Sequence, residues 1–285
     1  MRVLILGGSG MIGSNLFKDL DSSNEVYATF RKKSDQLFPL DEALRKNSFF
    51  DVEALDIQKI QSLVSELKPE VVINAIGITK QLIETYDEEV INYINSIFPH
   101  DLSSICGNYG IRFIQFSTDC VFSGVNGFYS ESDIPDPLDM YGKSKLLGEV
   151  KNSHSITLRK STIGLEQWQN HGLIEWFLDS KGQIKGYKNA IYSGVTTNEL
   201  SNIINLIIKQ NKNLSGVWHV SSEPISKYDL LSKLSSYLNR KDIEIIPEDN
   251  FICDRSLDGR AFSDRTGYLS PSWDKMLEDL SKKII

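Results

Sequence analysis

The sequence predicts a doubly wound parallel α/β sheet with a small C-terminal lobe. Three observations predict it. Short apolar runs without polar alternation recur through the first 160 residues, amphipathic stretches of helical period separate them, and a glycine cluster joins the first run to the first stretch. The runs Val3 to Leu6, Val26 to Phe30, Val71 to Ala75, Ile111 to Phe116 and Ile156 to Leu158 read as strands buried on both faces. Met11 to Leu20, Ile57 to Leu67, Val90 to Asn108 and Tyr141 to Asn152 read as the crossover helices. Pro69 ends one helix just ahead of the strand at Val71. Beyond residue 160 the rhythm loosens. Helices are expected at Gly172 to Ser180, Asn198 to Lys209 and Ser226 to Leu238, the last capped by its serine. A short strand is expected at Gly216 to Val220 and an amphipathic tail at Ser272 to Lys283. Residues 161–285 thus read as a mixed region that completes the sheet and forms the small lobe.

Composition narrows the function classes. The 285 residues are 40% hydrophobic and 24% charged, enough for one large domain and an appended lobe. A net charge of −7 and a pI near 5.2 exclude the basic face that nucleic acid or anionic lipid would require. Cys106, Cys120 and Cys253 are far apart, and His100, His154, His171 and His219 are scattered, so neither a disulfide framework nor a metal site is expected. The apolar start, Met1 to Leu6, is too short for a signal peptide, and no run reaches the roughly 18 residues of a membrane span. The expectation is a cytoplasmic protein that contacts no membrane.

Gly7-Gly8-Ser9-Gly10-Met11-Ile12-Gly13 follows the first strand and opens the first helix. In that place glycine permits a tight turn, close approach of backbone to a pyrophosphate, and close helix–strand packing. The helix N-terminus behind it offers unpaired N–H donors and a positive dipole end. Residues 1–160 therefore read as an NAD(P)-binding domain of the Rossmann fold, with Gly7, Ser9, Gly10, Met11, Ile12 and Gly13 in the phosphate turn. The second strand ends in Thr29-Phe30-Arg31-Lys32-Lys33, with no acid before Asp35. A carboxylate there would repel a 2′-phosphate, whereas Arg31 and Lys32 can pair with it, so NADPH is favoured, with NADH the alternative. A solvated basic turn is the plainer reading of the same residues. Asp56, with Ile57, can meet the adenine edge or simply cap the next helix.

Ser117-Thr118-Asp119 ends a buried strand, and Tyr141-Gly142-Lys143-Ser144-Lys145 follows 23 residues beyond Thr118. Tyrosine and lysine four apart share a helix face, which lets Lys145 favour the Tyr141 phenolate and bond a nicotinamide ribose. A tyrosine with a reference pKa near 10 needs such tuning to exchange protons at neutral pH. Thr118 is placed to orient a substrate carbonyl.

These segments, with Asn74 to Gly77, Phe116 to Gly124 and Tyr141 to Glu149, resemble the extended short-chain dehydrogenase/reductases. Within them the chain is most similar to the dTDP-4-dehydrorhamnose reductase family. Leu158 to Gly164 and Gly216 to Ser222 match more loosely. The resemblance implies a catalytic set of Thr118, Tyr141 and Lys145, a nicotinamide near Ala75, Ile76 and Gly77, and support from Asn95. It implies reduction of the 4-keto group of a nucleotide-linked deoxysugar for surface polysaccharide, and it is compatible with a homodimer. Two departures fall where the sugar would lie: Cys120 replaces the family's tyrosine, and Ile78-Thr79-Lys80-Gln81 follows the altered strand end. Cys120 reads as a small pocket-lining residue beside Asp119, because no neighbouring base is evident to make it a nucleophile. Arg255 and Arg260, in the polar stretch Asp254 to Arg260, can clamp a diphosphate or form surface salt bridges. The rival enzyme readings are an epimerase or a 4,6-dehydratase, the latter disfavoured because no glutamate adjoins Asp119. The rival from another class is a non-catalytic NADP-binding regulatory subunit.

Overall fold

A computed structural model describes residues 1–20, 22–32, 42–166 and 172–284. Lys33, Asp35 and His171 lie outside the described residues. Seven parallel strands form the central sheet: β1 (Arg2–Leu6), β2 (Glu25–Thr29), β3 (Ser48–Phe49), β4 (Val71–Asn74), β5 (Arg112–Thr118), β6 (Ser155–Lys160) and β7 (Gly216–His219). Their order is β7-β6-β5-β4-β1-β2-β3. The order reverses between β1 and β4, and crevices at such a switch point are where α/β sheets bind ligands. All four residues of β4 and all six of β6 are buried. This follows from helices covering both faces, with Ile5, Ile73 and Ile114 in one core and Leu4, Val72 and Phe113 in the other.

The helices follow local chemistry. Asp56 caps Ile57–Leu67 by accepting from Lys59 N at 3.0 Å, a contact that stabilises a helix by about 1 kcal/mol. Lys68 then turns left-handed, φ 49°, ahead of Pro69. The expected helix from Val90 to Asn108 begins earlier and is not uniform: Glu88–Asn92 is α, Tyr93–Ile97 is a π turn, and Phe98–Asn108 is α again. Pro99 has no N–H to return to the preceding turn, which explains the widened turn before it. The helix expected over Tyr141 to Asn152 spans only Met140–Leu147. Gly148 ends it because the Asn95 carbonyl lies where a Cβ would be.

Beyond β6 the expected elements appear as Leu173–Asp179, Thr197–Gln210, Lys227–Tyr237 and Trp273–Ile284, with Ser226 accepting from Asp229 N at 2.9 Å as the cap. β7 pairs with β6 and so extends the sheet from the second half of the chain. Several short strands have no counterpart in the sequence reading. Gly182–Tyr187 pairs with Ile243–Glu248, and Ala190–Tyr192 with Ile225–Ser226 and Cys253–Asp254. The stretch read as a loop from Asp254 to Arg260 therefore starts in a strand and ends at the first residue of the helix Arg260–Thr266. These strands are two to six residues long, too short for periodicity to mark them.

Candidate active site

A groove of about 300 Å³ runs along the carboxyl ends of β1, β2 and β4. Gly7, Ser9, Gly10, Met11 and Ile12 form one wall, Arg31 stands at one end, and Ala75, Ile76 and Gly77 form the floor. Gly7 has φ +89°, and a Cβ there would lie 2.9 Å from the Ile76 side chain, so only glycine fits both the turn and the space. Gly13 lies beneath the turn, where a Cβ would strike the Gly7 carbonyl. Thr29, at the end of β2, fixes the turn from the side. Its hydroxyl accepts from Gly7 N at 3.2 Å and its carbonyl from Gly8 N at 2.8 Å. The glycine cradle and its free helix end fit a dinucleotide pyrophosphate.

The far wall differs in part from the sequence reading. It is built by Val52, Glu53, Ala54 and Leu55, while Asp56 and Ile57 lie outside the groove and Asp56 serves as the helix cap. Arg31 Nη1 reaches the Tyr86 hydroxyl at 3.4 Å across the groove mouth; Lys32 is exposed and outside it. Sequence reasoning missed Thr29, Tyr86 and Ile78 as lining residues. Thr29 was legible in principle as the last residue of β2; Tyr86 directly follows a distant 3₁₀ segment, Lys80–Thr85, that only folding brings across.

Asn95 joins the groove to the helix Met140–Leu147. It is fully buried on the π turn, accepts from Ile78 N at 2.9 Å, and donates to Ile78 O at 3.0 Å and to Ser144 Oγ at 3.1 Å. A Cβ on Gly77 would lie 3.5 Å from Asn95 Oδ1 and 3.7 Å from Lys145 Nζ. Lys145 thus meets the floor of the groove at Gly77. Asp139 caps the helix Met140–Leu147 at Gly142 N, 2.8 Å, and pairs with Lys80 at 2.7 Å.

Tyr141 stands beside Thr118 at the end of β5, and the Thr118 hydroxyl donates to Asp119 Oδ1 at 3.0 Å. Burial pushes the Tyr141 phenol well above its ordinary range; nearby Cys120 and Asp119 add to this, and the Thr118 bond only partly opposes it. The phenol is thus raised where a lowering was expected, because desolvation favours its neutral form. Burial likewise lowers the Lys145 ammonium to about 8, while the Glu149 carboxylate one turn on pulls it back up. Glu149 is held bidentate by Arg159 at 2.7 and 2.8 Å, and accepts from Ser117 Oγ at 2.7 Å. His219 completes this buried network with Nδ1 at 2.9 Å from Tyr129 O and Nε2 at 3.3 Å from Arg159 Nη1. Burial depresses the imidazole to about 4, so the ring is neutral and accepts from the guanidinium.

Around this centre, burial and the Asp119 charge push the Cys120 thiol up to about 12, which removes any nucleophilic role at neutral pH. Arg255 donates to Cys120 Sγ at 3.4 Å and to Phe122 O at 3.0 Å, so it borders Asp119 and Cys120. Arg260 is not brought with it. It is 77% exposed, pairs with Asp258 at 2.6 Å, and stacks over Phe128 at 5.4 Å. Among the described residues no three His, Cys, Asp or Glu side chains gather as a metal site, and no helix is long and apolar enough to cross a membrane.

Comparison with known proteins gives the same frame. "Probable low-salt glycan biosynthesis reductase Agl14" of Haloferax volcanii is 29% identical over 168 residues, 57% of this chain and 54% of that protein. Methionine adenosyltransferase 2 subunit beta of Rattus norvegicus is 29% identical over 150 residues, 52% of this chain and 41% of that protein. The chain thus spans about half the length of the curated relatives it matches. A dTDP-4-dehydrorhamnose reductase from Bacillus anthracis, solved with NADP, superposes with TM-score 0.80 at 24% identity, covering 99% of both chains. A UDP-glucose 4-epimerase from Thermotoga maritima superposes with TM-score 0.78 at 20% identity, over 100% and 98%. The RmlD substrate binding domain family matches residues 1–252, and the chain belongs to that family.

Proposed function

We propose that the protein reduces a keto group, the 4-keto, of a nucleotide-linked deoxysugar with NADPH, for glycan or polysaccharide precursor synthesis. The observation that carries this is that one helix, Met140–Leu147, sets Tyr141 beside Thr118 and brings Lys145 against Gly77 on the floor of the groove. The names of the reductase relatives and the NADP in a solved neighbour support it. Gly7 to Ile12 would hold the pyrophosphate, Arg31 a 2′-phosphate, and Ala75 to Gly77 the nicotinamide side. When bound, NADPH supplies a hydride, one hydrogen with two electrons, to the keto carbon. As the C=O π bond breaks, Tyr141 donates its proton to the oxygen and Thr118 holds that oxygen in place. The raised phenol pKa suits this direction, because the reaction then starts from the protonated form. Lys145, still largely an ammonium at neutral pH, steadies the phenolate left behind and bonds the ribose.

The test follows NADPH absorbance with dTDP-, UDP- and GDP-linked 4-keto-6-deoxy sugars. Stoichiometric NADPH loss with one of them is expected, and Tyr141→Phe should abolish it while NADPH still binds. An epimerase or dehydratase would turn over substrate without net NADPH loss. A second reading, a cofactor-binding subunit of another enzyme, is favoured by the likeness to methionine adenosyltransferase 2 subunit beta. Tight NADPH binding without turnover of any sugar would support that reading over the reductase. The homodimer implied by the resemblance belongs to the same proposal and is checked by sedimentation.

A further inference from the structure

We propose that Lys160, Tyr192 and Asp119 form a polar subsite beside Thr118 that reads a hydroxyl on the substrate carbon next to the keto carbon. This rests on the keto-sugar reduction proposed above. Lys160 is the last residue of β6 and pairs in register with Thr118 at the end of β5. Its neighbour Arg159 turns to the opposite face, into the Glu149 network, as strand alternation requires. Lys160 is only 6% exposed, and its Nζ stands 5.1 Å over the Phe116 ring. Among the described residues the amine has no hydrogen bond or ion pair. Burial and the nearby Lys145 charge lower it to about 7, and Asp119 partly restores it.

Tyr192 approaches from the small sheet. It is 8% exposed, and its hydroxyl is buried with no partner among the described residues. A Cβ on Gly194 would lie 2.9 Å from the Tyr192 ring and 3.1 Å from the carbonyl of Ser161, the residue after Lys160. Tyr192 and the residue after Lys160 thus both border Gly194, and the phenol lies close enough to Asp119 for that charge to push its pKa up further. Asp119, itself 8% exposed, contributes an oxygen 3.0 Å from the Thr118 hydroxyl.

Two features turn this cluster into a site. The buried Tyr192 hydroxyl has no partner among the described residues, a desolvation cost that a ligand with a matching group recovers. The set also combines donors, Lys160 and Tyr192, with an acceptor, Asp119, which is the complement of a hydroxyl that both accepts and donates. Thr118 holds the keto oxygen in the proposed reaction, and vicinal oxygens on a pyranose are about a hydrogen-bond length apart. The group beside Thr118 is therefore the neighbouring 3-hydroxyl.

The experiment compares dTDP-4-keto-6-deoxyglucose with its 3-deoxy analogue on the wild type, Lys160→Met and Tyr192→Phe. Both kcat/KM and calorimetric affinity in the presence of NADP are read, with NADPH binding as the check that each variant is folded. On the hydroxylated sugar each variant should lose about tenfold to a hundredfold, and the wild type should lose as much on the deoxy analogue. On that analogue the variants and wild type should be nearly equal. Equal wild-type affinity for the two sugars, or variants that lose equally on both, would overturn the subsite. Absence of turnover with the affinity difference intact would count against the reduction and support the subsite.

Discussion

At the residue scale the pairing of Tyr141 with Lys145 is governed by burial. Desolvation raises the phenol and lowers the amine, so both groups are displaced towards their neutral forms. The sign for activity follows. Lys145 is charged below about pH 8 and loses its proton as pH rises through that value, and with it the ability to steady a phenolate. The kcat/KM profile should therefore fall above about pH 8. Lys145→Arg, which cannot lose its charge in that range, should abolish the fall, whatever its effect on the maximum. A profile flat to pH 10 in the wild type would contradict the role given to Lys145. The motif residues themselves were legible in the sequence: a hydroxyl at a strand end and a Tyr/Lys pair at helical spacing are local patterns. The direction of the Tyr141 shift was not, because burial depends on what folds over the phenol.

At the scale of elements, the junction between the π turn and the helix Met140–Leu147 sets where Lys145 lies. Asn95 ties Ile78 to Ser144, and Gly148 lets the end of that helix rest on the Asn95 carbonyl. Gly148→Ala should cost about 1–3 kcal/mol, because the added methyl meets backbone that cannot move aside. It should also displace Lys145 from Gly77, lowering kcat more than it raises the KM for NADPH. Thermal unfolding with steady-state kinetics measures both, and a stable variant of wild-type kcat would refute the coupling. Asn95 was named in the sequence by resemblance alone. The π turn that presents it was invisible, since Pro99 inside an otherwise helical pattern signals a disturbance but not its form. Asp56 shows the opposite case: its capping role was readable from its place ahead of Ile57, and the groove wall fell instead to Val52 to Leu55.

Across the whole molecule the two halves of the chain share a core. Leu16 and Phe17 from the first helix, Met11–Asp19, and Leu20 just after it pack in the same cluster as Ile203, Ile204 and Ile207 from Thr197–Gln210, and β7 adds to β6. A fragment of residues 1–160 would expose that helix and the β6 edge. It should show no cooperative unfolding transition by circular dichroism, whereas the full chain should. A fragment that unfolds cooperatively would make the first 160 residues an autonomous domain. The second half also brings Arg255 against Cys120 and Tyr192 near Asp119, at the end of β5.

The parallel sheet, the glycine turn, the Thr118, Tyr141 and Lys145 motif and the family resemblance were all readable along the chain. Each rests on residues close in the chain, where period and spacing carry the physics. Only the tertiary structure decided which groups surround that set. Lys160, Tyr192, Tyr86 and the Glu149–Arg159–His219 network are scattered from residue 86 to residue 219, and no local rule links them. Strand register and helix packing bring them together. The same packing removes water from them, and that loss of solvent sets the Tyr141 and Lys145 shifts.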